Sequence, residues 1–446
     1  MDIFHALCYN RSADQKHAKG VAMQPTENHV PLSLSEDTRR SYGDVSSGNL
    51  LIHGDNLAAL EALQQDYAGR IQCIYCDPPY NINAANGQYA DSVDNSVWLA
   101  QMKQCLSLLA PLLTENGVIL VQIDKEQSAY LKVLMDEVFS RSAYVTTIAV
   151  RMSATSGFKL GHSDKTIVKN TEYIHVYSRD LRVSPAYEEA EYDPHYSAVL
   201  KPTGKGRYRI SRLLEEKEVI AAFEDCRIPV KTENLTRLYR ISDAFRDYVF
   251  ANRERIGRVH SAPAGAEKER DILCSLLDDT SEVIERTYAG ETYYIKRTQT
   301  GFNQFIPISL KFRMVDTIGA YSLKLSNILG DWWDGFYLDM GNVDHEGEVC
   351  FKNSKKPERL LFRILNMFTQ PGEYVLDPFL GSGTTAAAAH KMQRRWIGIE
   401  SGEHACTLCK PRLDRIIDGT DSTGITRFTD WQGGSGYRFC EVSSDG

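Results

Sequence analysis

The stretch "IYCDPPYNI" sets a carboxylate, two prolines and a tyrosine directly after an apolar run. Neither Pro78 nor Pro79 has an amide hydrogen to donate, so a central strand must end here. The chain then makes a stiff corner presenting the Asp77 carboxylate, the Pro78 carbonyl and the Tyr80 ring. Two acceptors aimed at the two hydrogens of an exocyclic amine localise its nitrogen lone pair, which otherwise spreads into the ring. The prolines fix both acceptors before reaction. Tyr80 can stack on a base drawn into a pocket. The bland alternative is a rigid loop in which Asp77 caps a helix.

A second corner lies about 300 residues on, in "VLDPFLGSGTTAAAAHKMQRRWIGIE". A buried strand ends at Asp377, Phe379, Gly381 and Gly383 make a tight loop, and a helix begins near Thr384. Strand, glycine loop and helix N-terminus build the crevice where α/β sheets bind nucleotides. The next strand ends in Glu400, placed to accept hydrogen bonds from ribose hydroxyls. The full G-x-G-x-x-G fingerprint and the Gly-Lys-Ser/Thr of a phosphate loop are both missing. Asp377 at the loop's mouth would repel a pyrophosphate and suit a cation. This favours S-adenosylmethionine, which carries a sulfonium and an ammonium, over a dinucleotide. A plain strand-to-helix turn is the competing reading of the glycines. An in-line methyl transfer between the corners would need no metal and no covalent intermediate.

The elements that must position these corners alternate. "LLIHG", "IQCIYC", "GVILVQID", "YVTTIAV" and "EYIHVYSR" read as strands, with "NLAALEALQQ", "VWLAQMKQCLSLLAPLL" and "EQSAYLKVLMDEVF" as helices. Near-continuous apolar strands separated by helices predict an α/β fold, a mostly parallel Rossmann-like sheet covered on both faces. The pattern breaks from about 181 to 310, where short strands, basic helices such as "RISRLLEEKEVIAAFE" and aromatic turns mix. It resumes with "KKPERLLFRILNMFTQ", "EYVLDPF", "GTTAAAAHKMQ", "RWIGIES" and "EHACTLCKPRLDRII". The expected organisation is an arm over 1–48, one half of the α/β domain over 49–180, an insertion over 181–310, the second half over 311–420 and a tail over 421–446. In such sheets working residues gather beyond the strand C-termini, so the two corners should share one crevice.

The chain has 446 residues, 42% hydrophobic and 25% charged, as a soluble globular protein of two or three domains would. It shows no long apolar run and no signal peptide, so the cytoplasm is expected and no membrane association. Ten cysteines in this length do not make a disulfide framework. The pairs Cys73/Cys76 and Cys406/Cys409 read as buried thiols rather than a zinc site, and no metal is expected. The net charge of −8 does not advertise nucleic-acid binding, yet residues 201–270 hold sixteen Lys/Arg against eleven Asp/Glu. Within them, "LKPTGKGRYRISR" clusters Lys201, Lys205, Arg207, Arg209 and Arg212 around Tyr208, a pattern suited to a nucleic-acid backbone. The polar loop 153–170, with Lys159, His162, Lys165 and Lys169, is a candidate phosphate clamp. A solvated surface is the competing reading of both segments.

"DPPYNI", "KNSKKPERLLFRIL" and the "VLDPFLGSGTT…" segment together resemble the amino-methylating DNA methyltransferases of the β order. There the catalytic corner precedes the donor loop in a circularly permuted fold, with a target-recognition domain inserted between. The insertion and the tail "GGSGYRF" resemble the modification subunits of type III restriction–modification systems. The resemblance implies that Asp77, Pro78, Pro79 and Tyr80 form the catalytic corner. It also implies that Asp377, Phe379, Gly381 and Gly383 cradle S-adenosylmethionine and that Glu400 holds its ribose. Asp55 would contact the donor's adenine, and Lys356 and Pro357 would begin a helix flanking the donor. An Asp at the first corner position points to adenine N6, with cytosine N4 as the alternative. Implied partners are double-stranded DNA, a restriction subunit with helicase and nuclease activity, and a second copy of the chain. A DNA-recognition subunit silent without its partner is the competing reading from another class.

Overall fold

A computed structural model describes residues 32–81, 93–154, 167–261, 272, 282–298, 301–351 and 354–443. Its centre is an eleven-stranded sheet. Ten of its strands run, in chain order, β1 (Ser33–Glu36), β2 (Leu50–His53), β3 (Ile71–Cys76), β4 (Leu113–Ile123), β5 (Tyr144–Arg151), β6 (Thr171–Ser178), β7 (Trp332–Trp333), β8 (Tyr374–Asp377), β9 (Arg395–Glu400) and β10 (Gly436–Ser443). Their spatial order is β1-β10-β2-β9-β8-β3-β4-β6-β5-β7. From β10 to β4 every neighbouring pair is parallel. On the far side β6 runs antiparallel to both β4 and β5.

The apolar strands are buried on both faces, and their alternation sorts side chains into two cores. Cys73 and Tyr75 of β3 join one core, while Ile71, Ile74 and Cys76 join the other. The paired cysteines therefore point to opposite sides of the sheet. One core is covered by α1 (Asn56–Tyr67), α2 (Asn95–Leu109) and α3 (Lys125–Phe139). The other is covered by α4 (Glu358–Phe368), α5 (Thr384–Lys391) and α6 (Lys410–Ile417). A π-turn over Ala405–Cys409 precedes α6, where an unbroken helix is expected from sequence. No helix among the described residues is long and apolar enough to cross a membrane.

The N-terminal end differs from the sequence expectation. The described part of the arm supplies edge strand β1, which pairs with β10 of the tail, and β10 itself is inserted between β1 and β2. Within the insertion, strands Ala198–Gly204, Arg207–Arg212, Ile256–Ser261, Val283–Tyr288, Glu291–Thr298 and Gly301–Pro307 close a six-stranded barrel. Helices Lys217–Asp225, Leu235–Ile241 and Asp243–Ala251 pack Phe223, Leu238 and Phe245 beside it. The run "RISRLLEEKEVIAAFE", expected as one basic helix, instead finishes a barrel strand at Arg212, makes a short 3-10 turn over Leu213–Glu215 and turns α-helical only at Lys217. Strands Tyr187–Glu189, Phe312–Thr317 and Ala320–Ile328 form a small separate sheet. It meets α4 through buried charge: both Arg359 and Arg363 donate to Asp316.

Candidate active site

Strands β3 and β8 are parallel neighbours, with Leu376 opposite Ile74. Their C-terminal residues therefore leave the sheet side by side. The corners beyond them, Asp77–Tyr80 and Asp377–Ser382, line one cavity of about 860 Å³. The prolines of the first corner are anchored from α2, where the Trp98 indole donates to the Pro79 carbonyl at 2.8 Å.

Asp77 sits in a short chain of polar groups. Tyr80 Oη donates to Asp77 Oδ1 at 2.8 Å and is 2.9 Å from Glu172 Oε2. The Gln122 side-chain amide donates to the same Glu172 oxygen at 2.6 Å, and Tyr75 Oη donates to Gln122 at 2.7 Å. Lys356 Nζ lies 2.7 Å from Asp77 Oδ2 and 3.6 Å from Glu172 Oε2. Burial pushes the Asp77 carboxyl up and Glu172 adds to that push; Lys356 and the Tyr80 hydrogen bond oppose it. Burial works against Glu172 too, but Lys356, Gln122 and Tyr80 outweigh it and hold this carboxyl below its usual range. Burial would lower Lys356, yet the two carboxylates raise it above the ordinary lysine value. The lysine is thus an ammonium shared by two carboxylates.

On the opposite wall, Asp377 accepts from the Phe379 amide at 2.9 Å and from Thr385 Oγ1 at 2.6 Å. Burial nevertheless pushes its carboxyl up to about 7, and the nearby charges of Asp77 and Glu400 work in the same direction. Glu400 clasps the loop, accepting from the Gly381 amide at 2.8 Å and the Gly402 amide at 2.9 Å. Gly381 and Gly383 have φ of +56° and +82°, which favours glycine at both. From the π-turn, the Cys409 thiol donates to the Gly381 carbonyl at 3.2 Å. S-adenosylmethionine fits the residues present. Asp377 and Glu400 offer carboxylates to its cationic and hydroxyl groups, Phe351 and Phe379 offer apolar walls, and two acids disfavour a phosphate.

Asp77, Pro78, Pro79, Tyr80, Lys356, Asp377, Phe379, Gly381 and Glu400 all line this cavity. Lys356, which the resemblance places at the start of a helix flanking the donor, lines the cavity and is hydrogen-bonded to Asp77. Gly383 caps α5 and Pro357 caps α4, one step behind the wall. Asp55 is exposed and caps α1 through the Ala58 amide, while its neighbour Asn56 reaches the cavity. Lys159, His162 and Lys165 lie outside the described residues; Lys169 lines the cavity and pairs with Asp124. The five cations of 201–212 sit on a barrel hairpin. Lys201 pairs with Glu216 and Arg207 with Glu282, leaving Lys205, Arg209 and Arg212 as its exposed cations. Among the described residues no group of three His, Cys, Asp or Glu is arranged to hold a metal. Sequence reasoning missed Glu172 and Gln122, because single polar residues at strand ends carry no motif.

The family model described as DNA methylase, covering N6 and N4 methyltransferases, matches residues 71–411. The "Probable type III restriction-modification enzyme HindVI Mod subunit" of Haemophilus influenzae is 31% identical over 438 residues, covering 92% of this chain and 56% of that protein. The type III restriction-modification enzyme EcoPI Mod subunit of Escherichia phage P1 is 26% identical, covering 80% of this chain and 57% of that one. The StyLTI Mod subunit of Salmonella typhimurium is 29% identical, covering 82% and 52%. The chain spans about half the length of these relatives. With both corners inside a match that runs through most of its residues, the chain belongs to the N6/N4 DNA methylase family.

Proposed function

We propose that this chain methylates N6 of an adenine drawn out of duplex DNA, using S-adenosylmethionine. The observation that carries the reading is the pairing of two corners across one cavity, an amine-acceptor corner at Asp77 and a donor-type loop at Asp377. When bound, S-adenosylmethionine supplies a methyl group carried on sulfur. Asp377 and Glu400 hold the donor side, Tyr80 stacks on the base, and Asp77 with the Pro78 carbonyl orients the amine. The exposed cations Lys205, Arg209 and Arg212 suit contact with DNA phosphates. Relatives named as Mod subunits support a place in a type III system beside a restriction subunit. The test is to incubate the protein with labelled donor and mixed-sequence duplexes, then digest the DNA to nucleosides. Label in N6-methyldeoxyadenosine is expected. Label in N4-methylcytosine would transfer the assignment to the other amine, and donor binding without any labelled DNA would overturn it.

Asp377 makes donor binding depend on pH. A cationic donor selects the ionised carboxylate, and burial has raised this carboxyl to about 7. Donor affinity should therefore fall by up to about tenfold per pH unit below 7 and level off above it. Calorimetry in buffers of different ionisation enthalpy should show proton release on binding near pH 6. The sign for stability is opposite. The folded state holds this proton above the ordinary carboxylate range near 4, so the donor-free protein loses stability as pH rises from about 4 to 7. Donor affinity that is flat between pH 5.5 and 8 would exclude Asp377 from the cationic contact.

A further inference from the structure

We propose that Lys356 and Glu172 are positioning residues that set the charge on Asp77 with opposite sign, the lysine keeping the acceptor carboxylate ionised and the glutamate limiting how far. This rests on the reading of Asp77 as the amine acceptor. The geometry is specific. Lys356 Nζ is within hydrogen-bond distance of Asp77 Oδ2 and 3.6 Å from Glu172, and Tyr80 Oη bridges the remaining gap between the two carboxylates. The side chains of Lys356, Asp77 and Glu172 are only 10%, 17% and 22% exposed, so solvent screens these contacts weakly. Gln122, itself held by Tyr75, and Tyr80 both donate to Glu172, so Glu172 cannot turn away without breaking two hydrogen bonds.

Charged and titratable groups face Asp77 from several elements. Glu172 comes from β6, Lys356 from the approach to α4, Tyr80 from its own corner, Tyr75 and Cys76 from β3, and Asp377 from β8. Lys356 is the one cation hydrogen-bonded to it among the described residues. One ammonium shared by two carboxylates leaves a single net negative charge on this triad, with Lys169, which pairs with Asp124, a more distant cation acting on Glu172. Without the ammonium, two adjacent negative charges would draw a proton onto one of the carboxyls. The single charge that remains stabilises positive charge growing on the attacking nitrogen. A protonated Asp77 would offer the amine a donor where an acceptor is needed. The lysine therefore acts through Asp77, and its effect belongs to the acid limb of the rate profile.

The experiment compares Lys356→Met, Lys356→Arg and Glu172→Gln with the unsubstituted full chain. Single-turnover methyl transfer to duplex DNA is followed from pH 5.5 to 9.5, with donor affinity measured separately. Lys356→Met should move the acid limb up by at least about one pH unit, a tenfold loss at the foot of the limb that recovers toward pH 9. Lys356→Arg should keep the limb near its original place. Glu172→Gln should move it down. An acid limb unmoved in Lys356→Met, or moved the same way in Lys356→Met and Glu172→Gln, would overturn the inference. A second readout does not depend on methylation. In protein carrying aspartate labelled at the side-chain carboxyl carbon, the Asp77 resonance, assigned by its loss in Asp77→Asn, should titrate higher in Lys356→Met and lower in Glu172→Gln. If no DNA is labelled but the resonance shifts in these two directions, the charge-setting inference stands and the functional reading falls. If the resonance does not shift, the inference falls whatever the activity.

Discussion

Asp77→Ala is expected to bind donor within a few fold of the unsubstituted chain and to transfer methyl groups about a thousandfold more slowly. The wall proposed to hold the donor is built by Asp377, Gly381 and Glu400, none of which is hydrogen-bonded to Asp77. Removing the carboxylate therefore leaves the hydrogen bonds of that wall in place. It does take away the acceptor proposed to orient the amine, and loss of one preorganised partner of this kind costs about a hundredfold to a thousandfold. The surroundings add a second cost. Lys356 loses its 2.7 Å partner and turns wholly to Glu172, drawing the ammonium along the wall. Asp77→Asn keeps the shape and one acceptor oxygen and should fall between the two. Single-turnover assays with labelled donor, beside calorimetric donor binding, read both quantities. Turnover retained within threefold in Asp77→Ala would remove Asp77 from the reaction.

The largest stability effect is expected at Glu358. This residue is fully buried at the start of α4 and receives Lys391 at 2.8 Å, Arg412 at 2.7 Å and the Ile425 amide at 3.0 Å. Burial works against its charge, but Lys391 and Arg412 outweigh that and pull its carboxyl down to about 2. Lys391 also meets Asp421 at 2.8 Å, and Arg412 donates to the Ser382 carbonyl and Thr384 Oγ1, both at 3.0 Å. The cluster is thus the support behind the loop that ends at Ser382 and Gly383. Glu358→Gln leaves two buried cations with one carboxylate, and breaking a buried pair by removing one partner costs about 3–5 kcal/mol. The first urea-unfolding transition should move to clearly lower concentration, and donor affinity should fall because Ser382 loses its backing. A transition left in place would mean that the cluster contributes little to the fold.

The parallel sheet and both corners were legible because each rests on local chemistry. Apolar runs mark buried strands, and prolines or glycines mark where a strand must stop or a backbone must turn. The barrel was not legible. Its strands are short and aromatic, and closure depends on pairing such as that of Arg207–Arg212 with Ala198–Gly204, and of Ile256–Gly257 with the other edge of the same strand. Basic side chains along "RYRISR" obscured a strand that continues to Arg212. The role of Lys356 was hidden for another reason. Its partner lies 279 positions away, and the "KPE" context pointed to the donor flank. Glu172 and Gln122 read as ordinary strand-end polar residues, and only the register of β4 against β6 brings them together at Tyr80. The edge strand β1 was invisible because its partner, β10, lies at the opposite end of the chain.

The contact between Asp316 and α4 has a practical consequence for anyone building chimeras. Arg359 and Arg363 lie on the catalytic side of the junction and are 5% exposed each, while Asp316 belongs to the hairpin that follows the barrel. Asp339 neutralises only the first of these arginines. A foreign insertion grafted in without an acid at the Asp316 position would bring a lone guanidinium under its own seam. Transplants that carry the hairpin along with the barrel keep that seam electrically closed.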